Sequence, residues 1–155
     1  MGEFIWHQWA RYVSITASVY AMWSAYWGIF YRKVFWDFVG GHLRAPGGLQ
    51  PSSAILPLSQ IIVKAPAVQI FALFVSLAML MLELRLPPVK GTSLGRSWVV
   101  RIALLVVQAV LTILYYQGTN AAIWSLIATF GYIQASVKGE KEEDAKQHRG
   151  KVGAA

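Results

Sequence analysis

The stretch "ILYYQGTNAAIW", residues 113–124, lies inside an uncharged segment that runs from Ile102 to Val137. That segment is too long for one membrane-crossing helix, which needs about 20 residues, and is about right for two. A cluster of turn-forming residues lies near its middle and predicts a helical hairpin turn at Gln117, Gly118, Thr119 and Asn120. Gly118 can take a positive φ there, and Thr119 or Asn120 can cap the following helix through its side-chain oxygen.

The composition of the whole chain is also typical of an integral membrane protein. Of its 155 residues 56% are hydrophobic and 14% are charged, against about 25% charged residues in soluble domains. Cysteine is absent, which excludes disulfides and thiolate metal sites. The net charge of +7 fits cytoplasmic loops that face anionic lipid headgroups, so we expect membrane lipids and no nucleic acid as partners.

The apolar runs predict an all-α integral membrane four-helix bundle with both termini on one side. Spans are expected at about 12–31, 65–84, 98–116 and 120–137, in a single transmembrane domain that covers residues 1–138. We expect the loop 32–64 to be partly interfacial and the charged tail 139–155 to be disordered. Ten of the fourteen Lys and Arg residues fall on the side of the termini, which predicts that both termini are cytoplasmic. The absence of a transit-peptide pattern favours an endomembrane or plasma membrane over a mitochondrial one.

Small residues recur at heptad spacing on the first and fourth predicted spans. They are typical of close helix packing, because helices in lipid associate through backbone approach. The predicted packing seam comprises Ser14, Ala17, Ser18, Ala21, Ser24, Ala25, Gly28, Ala121, Ser125, Ala128 and Ala135. The pattern leaves open whether this seam packs within the chain or against a partner.

Polar residues inside the spans have two interpretations. The intramembrane polar set is Gln69, Gln108, Thr112 and Gln134. These side chains either line a path for a substrate or form ordinary hydrogen bonds between helices, with Gln108 bonded to Gln69, Gln134 or a backbone carbonyl. The second interpretation is favoured because ionisable residues are not expected deep in any span, whereas ion-coupled transporters usually keep them there.

The sequence contains no recognisable catalytic or cofactor-binding motif. The three histidines, His7, His42 and His148, fall in three separate segments without metal-site spacing, so we expect no metal and no cofactor. Glu83 and Arg85 are expected to anchor the second span at the inner interface. Arg101, one turn inside the third span, is expected to extend toward the headgroups.

Four stretches of the chain resemble a known group of sequences: "WARYVSITASVYAMWSAYWGIFYRKVFWDFVGG" (9–41), "IVKAPAVQI" (62–70), "LPPVKGTS" (86–93) and "YYQGTNAA" (115–122). They are similar to a family of small uncharacterised fungal integral membrane proteins, over about residues 4–138. The resemblance implies a small four-span membrane protein and assigns no functional residue.

Three functions remain open from the sequence. The first is a non-enzymatic accessory, scaffold or assembly subunit that packs against a protein partner, or against copies of itself, within the membrane. The second is a small transporter or channel component with a path lined by Gln and Thr. The third is a lipid-binding or lipid-modifying protein, suggested by aromatic and basic interfaces such as Trp36 and Arg32–Lys33.

Overall fold

The computed structural model describes residues 4–35, 53–89 and 92–140, apart from the side chain at position 96. Regular structure in these ranges is helical. The helices are α1 (Trp6–Phe30), α2 (Leu56–Ser59), α3 (Ala67–Glu83), α4 (Ser93–Arg96), α5 (Trp98–Ile113) and α6 (Thr119–Val137). A π-helical turn, Gln60–Lys64, extends α2, and a 3₁₀ turn, Tyr116–Gly118, separates α5 from α6. The predicted features at residues 36–52 and 141–155, which include Trp36, His42, His148 and most of the tail, lie outside the described residues.

The four long helices pack in a square with antiparallel neighbours. α1 lies beside α3 and α6, and α5 lies beside the same two helices. The pairing directions follow from contacts at the helix ends, since Arg11 meets Glu83 at one end and Gly28 meets Gln69 at the other. We call these the clasp end, where α1 begins, and the turn end, where α1 stops.

Local sequence explains where the helices start and stop. The Ser97 hydroxyl accepts a hydrogen bond from the Val100 N–H at 3.4 Å and caps the start of α5. Before α3, Pro66 disfavours helical backbone at Ala65, which is extended, and the chain bends by 68° between Leu56–Lys64 and Ala67–Glu83. α6 ends in the left-handed conformation at Gly139, whose φ is +66°.

Length and hydropathy together do not mark any single described helix as a membrane span. The bent pair Leu56–Lys64 and Ala67–Glu83 meets both criteria when taken together, and Trp98–Ile113 is apolar but shorter.

Two groups of buried side chains make up the interior. Near the clasp end the group contains Ala10, Met79, Leu82, Leu105, Ala128 and Tyr132. Near the turn end it contains Ala25, Val34, Ile62, Val68, Ala72 and Tyr115. The small residues of α1 allow α3 and α6 to approach closely, so the interior is narrow and most bulky side chains lie on the outer surface.

Candidate functional site

An ionic cluster, formed by Arg11, Glu83, Arg101 and Tyr132, joins the four long helices at the clasp end. Glu83, the last residue of α3, has no exposed surface. Its Oε1 accepts a hydrogen bond from the Tyr132 hydroxyl, and its Oε2 lies 3.8 Å from Arg101 Nε. Arg11 donates from Nε and Nη2 to the backbone oxygen of Glu83 at 3.1 and 2.8 Å. One acidic residue is therefore held by side chains from α1, α5 and α6.

The surroundings of Arg101 compensate for the burial of its charge. This side chain is only 3% exposed. Its Nη2 donates to the Gly95 carbonyl at 2.8 Å, and its guanidinium carbon lies 5.8 Å from the ring centres of Trp98 and Tyr132. Since a buried charge is costly without a counter-charge and hydrogen bonds, these contacts are what make the position tolerable.

The expectation that Arg101 extends outward is therefore wrong, and Glu83, expected to anchor the end of the second span, is buried as well. Neither side chain extends to the surface, because each finds its counter-charge and its hydrogen bonds inside the bundle. A signal was present in the sequence. Gln69, Ser76 and Glu83 are seven residues apart on α3, and all three have no exposed surface. The same spacing separates Arg101 and Gln108 on α5 from Tyr115, two residues beyond its end, and these side chains are also buried.

The two ends of the described chain are joined at the same place. Glu140 Oε1 accepts the Trp6 backbone N–H at 3.0 Å, and Oε2 accepts the His7 backbone N–H at 2.9 Å and lies 2.8 Å from His7 Nδ1. The carboxylate thus satisfies free N–H groups in the first turn of α1. Burial raises the pKa of Glu140, but the His7 and Trp6 N–H groups and the His7 ring lower it by more, so the net pKa lies below 4.5. The left-handed Gly139 turns the chain back so that Glu140 reaches these groups.

Hydrogen bonds within the bundle engage three of the four predicted intramembrane polar residues. Gln108 Nε2 donates to Ser125 Oγ at 2.9 Å, and Gln108 Oε1 accepts from Ser18 at 3.4 Å. Thr112 donates to the Gln108 carbonyl at 2.7 Å.

Gln69 has different partners, donating to the carbonyls of Ile62 and Gly28 at 2.9 and 3.3 Å. Gln134 is half-buried. Gln108 therefore does not bond to Gln69 or to Gln134, the two side-chain partners that were expected from the sequence. Among the described contacts, the four side chains do not form one connected row.

The predicted packing seam lies inside the bundle. All eleven of its residues are buried, the α1 members between α3 and α6 and the α6 members toward α1 and α5. The seam is therefore occupied by contacts within this chain.

The predicted turn residues hold the turn end by contacts that the sequence did not indicate. Gly118 has φ −86°, so the expected positive φ is wrong, and neither Thr119 nor Asn120 caps α6 through its side chain. Glycine is needed here because an added Cβ would lie 2.1 Å from the Thr112 carbonyl oxygen. Thr119 Oγ1 donates to the Tyr116 carbonyl, and Gln117 Nε2 donates to the Tyr31 carbonyl at 2.7 Å.

Tyr115, beside this turn, belongs to the interior. It has no exposed surface, and its hydroxyl lies 3.1 Å from Ser24 Oγ. Its backbone pairs with Val34 through an isolated antiparallel bridge. The Phe35 N–H donates to the Leu114 carbonyl, and the Tyr116 N–H donates to the Lys33 carbonyl. The segment after α1 is thus fastened to the turn between α5 and α6.

An open cleft of about 420 Å³, the aromatic cleft, lies on the outer surface beside this turn. It is lined by Tyr20, Trp23, Ser24, Trp27, Tyr31, Gln117 and Asn120. Trp23 and Trp27 meet edge to face with ring centres 5.7 Å apart, and Tyr31 stacks on Trp27 at 5.9 Å. Three aromatic rings from one side of α1, together with that of Tyr31 just after it, therefore form a wall, with Gln117 and Asn120 beside it.

Comparison with known sequences places the chain in a family. A family model described as a domain of unknown function (DUF7727) matches residues 1–140. The chain belongs to this family. No curated protein and no solved structure matches the chain.

The DUF7727 match includes every residue of the ionic cluster and of the aromatic cleft. It also includes Glu140, the last described residue, which joins α6 to the start of α1. Among the residues with described positions, no three His, Asp or Glu side chains are grouped as they would be to hold a metal ion.

Proposed function

We propose that this DUF7727 chain is an integral membrane protein in which α1, α3, α5 and α6 cross the bilayer. The distribution of polarity carries the proposal. Bulky apolar side chains face outward on every long helix, among them Trp23, Phe30, Phe71, Phe74, Val106, Val110, Leu126 and Phe130. Gln69, Ser76, Gln108, Thr112 and Ser125, in contrast, have no exposed surface. A protein that folds in water has the opposite arrangement, because burying polar groups and exposing large apolar patches both cost free energy.

The positions of the charges also support membrane insertion. Arg11, Glu83, Arg101 and Glu140 lie at the clasp end, whereas Arg32, Lys33 and Lys64 lie at the turn end. Between them α1 is uncharged from Tyr12 to Tyr31, which corresponds to about 30 Å of helix, the thickness of a hydrocarbon core. By the excess of Lys and Arg on that side, the clasp end and both termini are cytoplasmic.

Within the membrane we propose a non-enzymatic role as an accessory or assembly subunit. The ionisable group that would most readily do chemistry, Glu83, has no exposed surface and is held by side chains from three helices. Gln108 bonds to both Ser18 and Ser125. The outer faces of the helices therefore supply the surface for contact with lipids and with other membrane helices.

Membrane insertion is tested first by extraction of native membranes with alkaline carbonate. An inserted bundle stays in the membrane pellet, and release of the chain into the supernatant would overturn the proposal. The accessory role is tested by placing a photo-crosslinking amino acid at Phe74, Val110 or Leu126, one outward position on each of three helices.

A subunit with a protein partner gives discrete protein adducts from one face and lipid adducts from the others. The proposed role fails if all three positions yield lipid adducts alone and the chain purifies in mild detergent as a monomer without other proteins. Carbonate extraction of each variant is the matched control for correct insertion.

A further inference from the structure

We infer that the aromatic cleft binds a sterol, with the ring system against α1 and the hydroxyl group at the turn between α5 and α6. This inference rests on the membrane proposal above, because the cleft opens on a surface that would face lipid. It adds a ligand and a site to the proposed accessory role.

The size and position of the cleft match one leaflet of a bilayer. Tyr20 and Tyr31, at its two ends, are separated by eleven residues, or about 16 Å along a helix. Half of a hydrocarbon core is about 15 Å thick. Of the polar lining residues, Gln117 belongs to the turn and Asn120 to the first turn of α6, so they mark the interfacial end of the cleft. The ligand thus has an apolar body about one leaflet long and a polar group at the interface.

The polar end requires a hydrogen-bond donor from the ligand. Gln117 Nε2 donates to the Tyr31 carbonyl at 2.7 Å, and a carbonyl only accepts, so the orientation of the amide is fixed. Gln117 Oε1 is buried and has no hydrogen-bond partner among the described residues. A buried acceptor of this kind gains from a hydroxyl donor, whereas the phosphate oxygens of a phospholipid only accept.

The charges near the cleft also favour a neutral ligand. All seven lining residues are uncharged. Arg32, the charged residue that directly follows the lining residue Tyr31, donates from its guanidinium to the carbonyls of Ile29 and Lys64, both at 3.0 Å. Lys33 places its ammonium 5.8 Å from the centre of the Tyr116 ring, which is not part of the lining. A phosphate group would therefore meet no lining cation.

The aromatic wall favours a rigid ligand over a flexible one. Trp23, Trp27 and Tyr31 already rest on one another, so the wall is preorganised. A fused ring system loses little conformational freedom on binding such a wall, while a flexible acyl chain must be ordered. A sterol unites this rigid body with a single hydroxyl donor.

The test uses a cholesterol analogue that carries a photoreactive diazirine on its ring system, with the full-length chain in phosphatidylcholine nanodiscs. We expect saturable labelling that maps to residues 20–31 or 117–120. Unlabelled cholesterol should compete, and its 3-keto counterpart, which lacks the hydroxyl donor, should compete about tenfold less well because the hydrogen bond to Gln117 is missing. The ligand is altered in this comparison, so the protein fold is unchanged.

Variants of the wall provide the second arm of the test. Trp23→Leu with Trp27→Leu should weaken labelling about tenfold or more, while Trp124→Leu, an exposed tryptophan outside the cleft, should leave it unchanged. The inference is overturned by non-saturable labelling, by labelling that maps elsewhere, or by equal competition from cholesterol and its 3-keto counterpart. It is also overturned if dioleoylglycerol competes as well as cholesterol. A chain that resists carbonate extraction but shows any of these results refutes the sterol site alone, whereas release by carbonate refutes the membrane proposal.

Discussion

At position 118 only glycine fits, and the reason is steric. An alanine Cβ there would lie 2.1 Å from a backbone oxygen, that of Thr112 in the last turn of α5. At Gly28 the nearest atoms to an added Cβ are side-chain atoms at longer distances, Gln69 Cγ at 3.0 Å and Tyr115 Cδ2 at 3.1 Å. We expect Gly118→Ala to lower the free energy of unfolding by about 1–3 kcal/mol and Gly28→Ala by less. Denaturant unfolding of both variants in one detergent measures the order, and a larger loss at Gly28 would contradict this account.

The lowered pKa of Glu140 predicts a specific dependence of stability on acid pH. Because the folded pKa lies below the unfolded value of about 4.5, the contribution of Glu140 to stability is complete above that value. It is lost as the pH falls through the folded pKa, when protonation removes the charge that His7 and Trp6 stabilise.

Comparison with Glu140→Gln isolates this effect. The thermal midpoints of the natural chain and of Glu140→Gln, measured from pH 7 to pH 3, should differ most at neutral pH and converge in acid. A constant difference across that range would show that the charge of Glu140 does not contribute.

At the scale of the helical elements, the pair of Glu83 and Arg101 joins the end of α3 to the start of α5. Replacing one partner leaves the other charge buried without compensation, so Glu83→Leu should cost about 3–5 kcal/mol of stability. The double variant Glu83→Leu with Arg101→Met removes both charges and should recover most of that loss. Chemical denaturation of the two single variants and the double variant forms a double-mutant cycle. Additive losses in the cycle would argue against the pair.

The hydrogen bonds of Gln108 connect α5 to α1 and α6, and they contribute less to the free energy of unfolding than the pair of Glu83 and Arg101. Gln108→Leu should cost about 0.6–2 kcal/mol, typical of such bonds between membrane helices. Gln134→Leu, at a half-buried position of α6, is the matched control and should change stability less. Unfolding followed by circular dichroism measures both losses, and equal effects would show that the hydrogen bonds of Gln108 add no stability.

Sequence patterns predicted the helical class, because it follows from periodicity along one segment, and they identified Gln108 and Thr112 as polar residues within a helix. The partners of those polar residues were not predictable, since they depend on how separate segments pack. Gln108 could have bonded to any facing polar side chain, and only the packing of α5 on α6 brings Ser125 to it. The role of Gly118 was missed because the contact that requires glycine depends on how the chain folds back toward Thr112, six residues earlier.

At the scale of the whole molecule, the two bundle ends should lie on opposite sides of the membrane. The chain has no natural cysteine, so single cysteines report position without background. Ser53→Cys and Lys138→Cys are separated by three long helices, α3, α5 and α6, and both positions are exposed. A membrane-impermeant maleimide added to intact cells or sealed vesicles should therefore label one of them and not the other. Labelling of both from the same side would contradict four crossings.

The pairing of α1 with α6 determines how the molecule is completed during synthesis. α1 is made first, yet one side of its small-residue face is covered by the last long helix, which starts at Thr119. At 5–20 residues per second, the ribosome needs roughly 5 to 20 seconds to produce the intervening chain. Over that interval Ser14, Ser18 and Ser24, all buried in the finished bundle, have no α6 beside them. The first helix therefore keeps one side of its small-residue face without its final neighbour until α6 is made, and Glu140, the last described residue, then bonds to the start of α1.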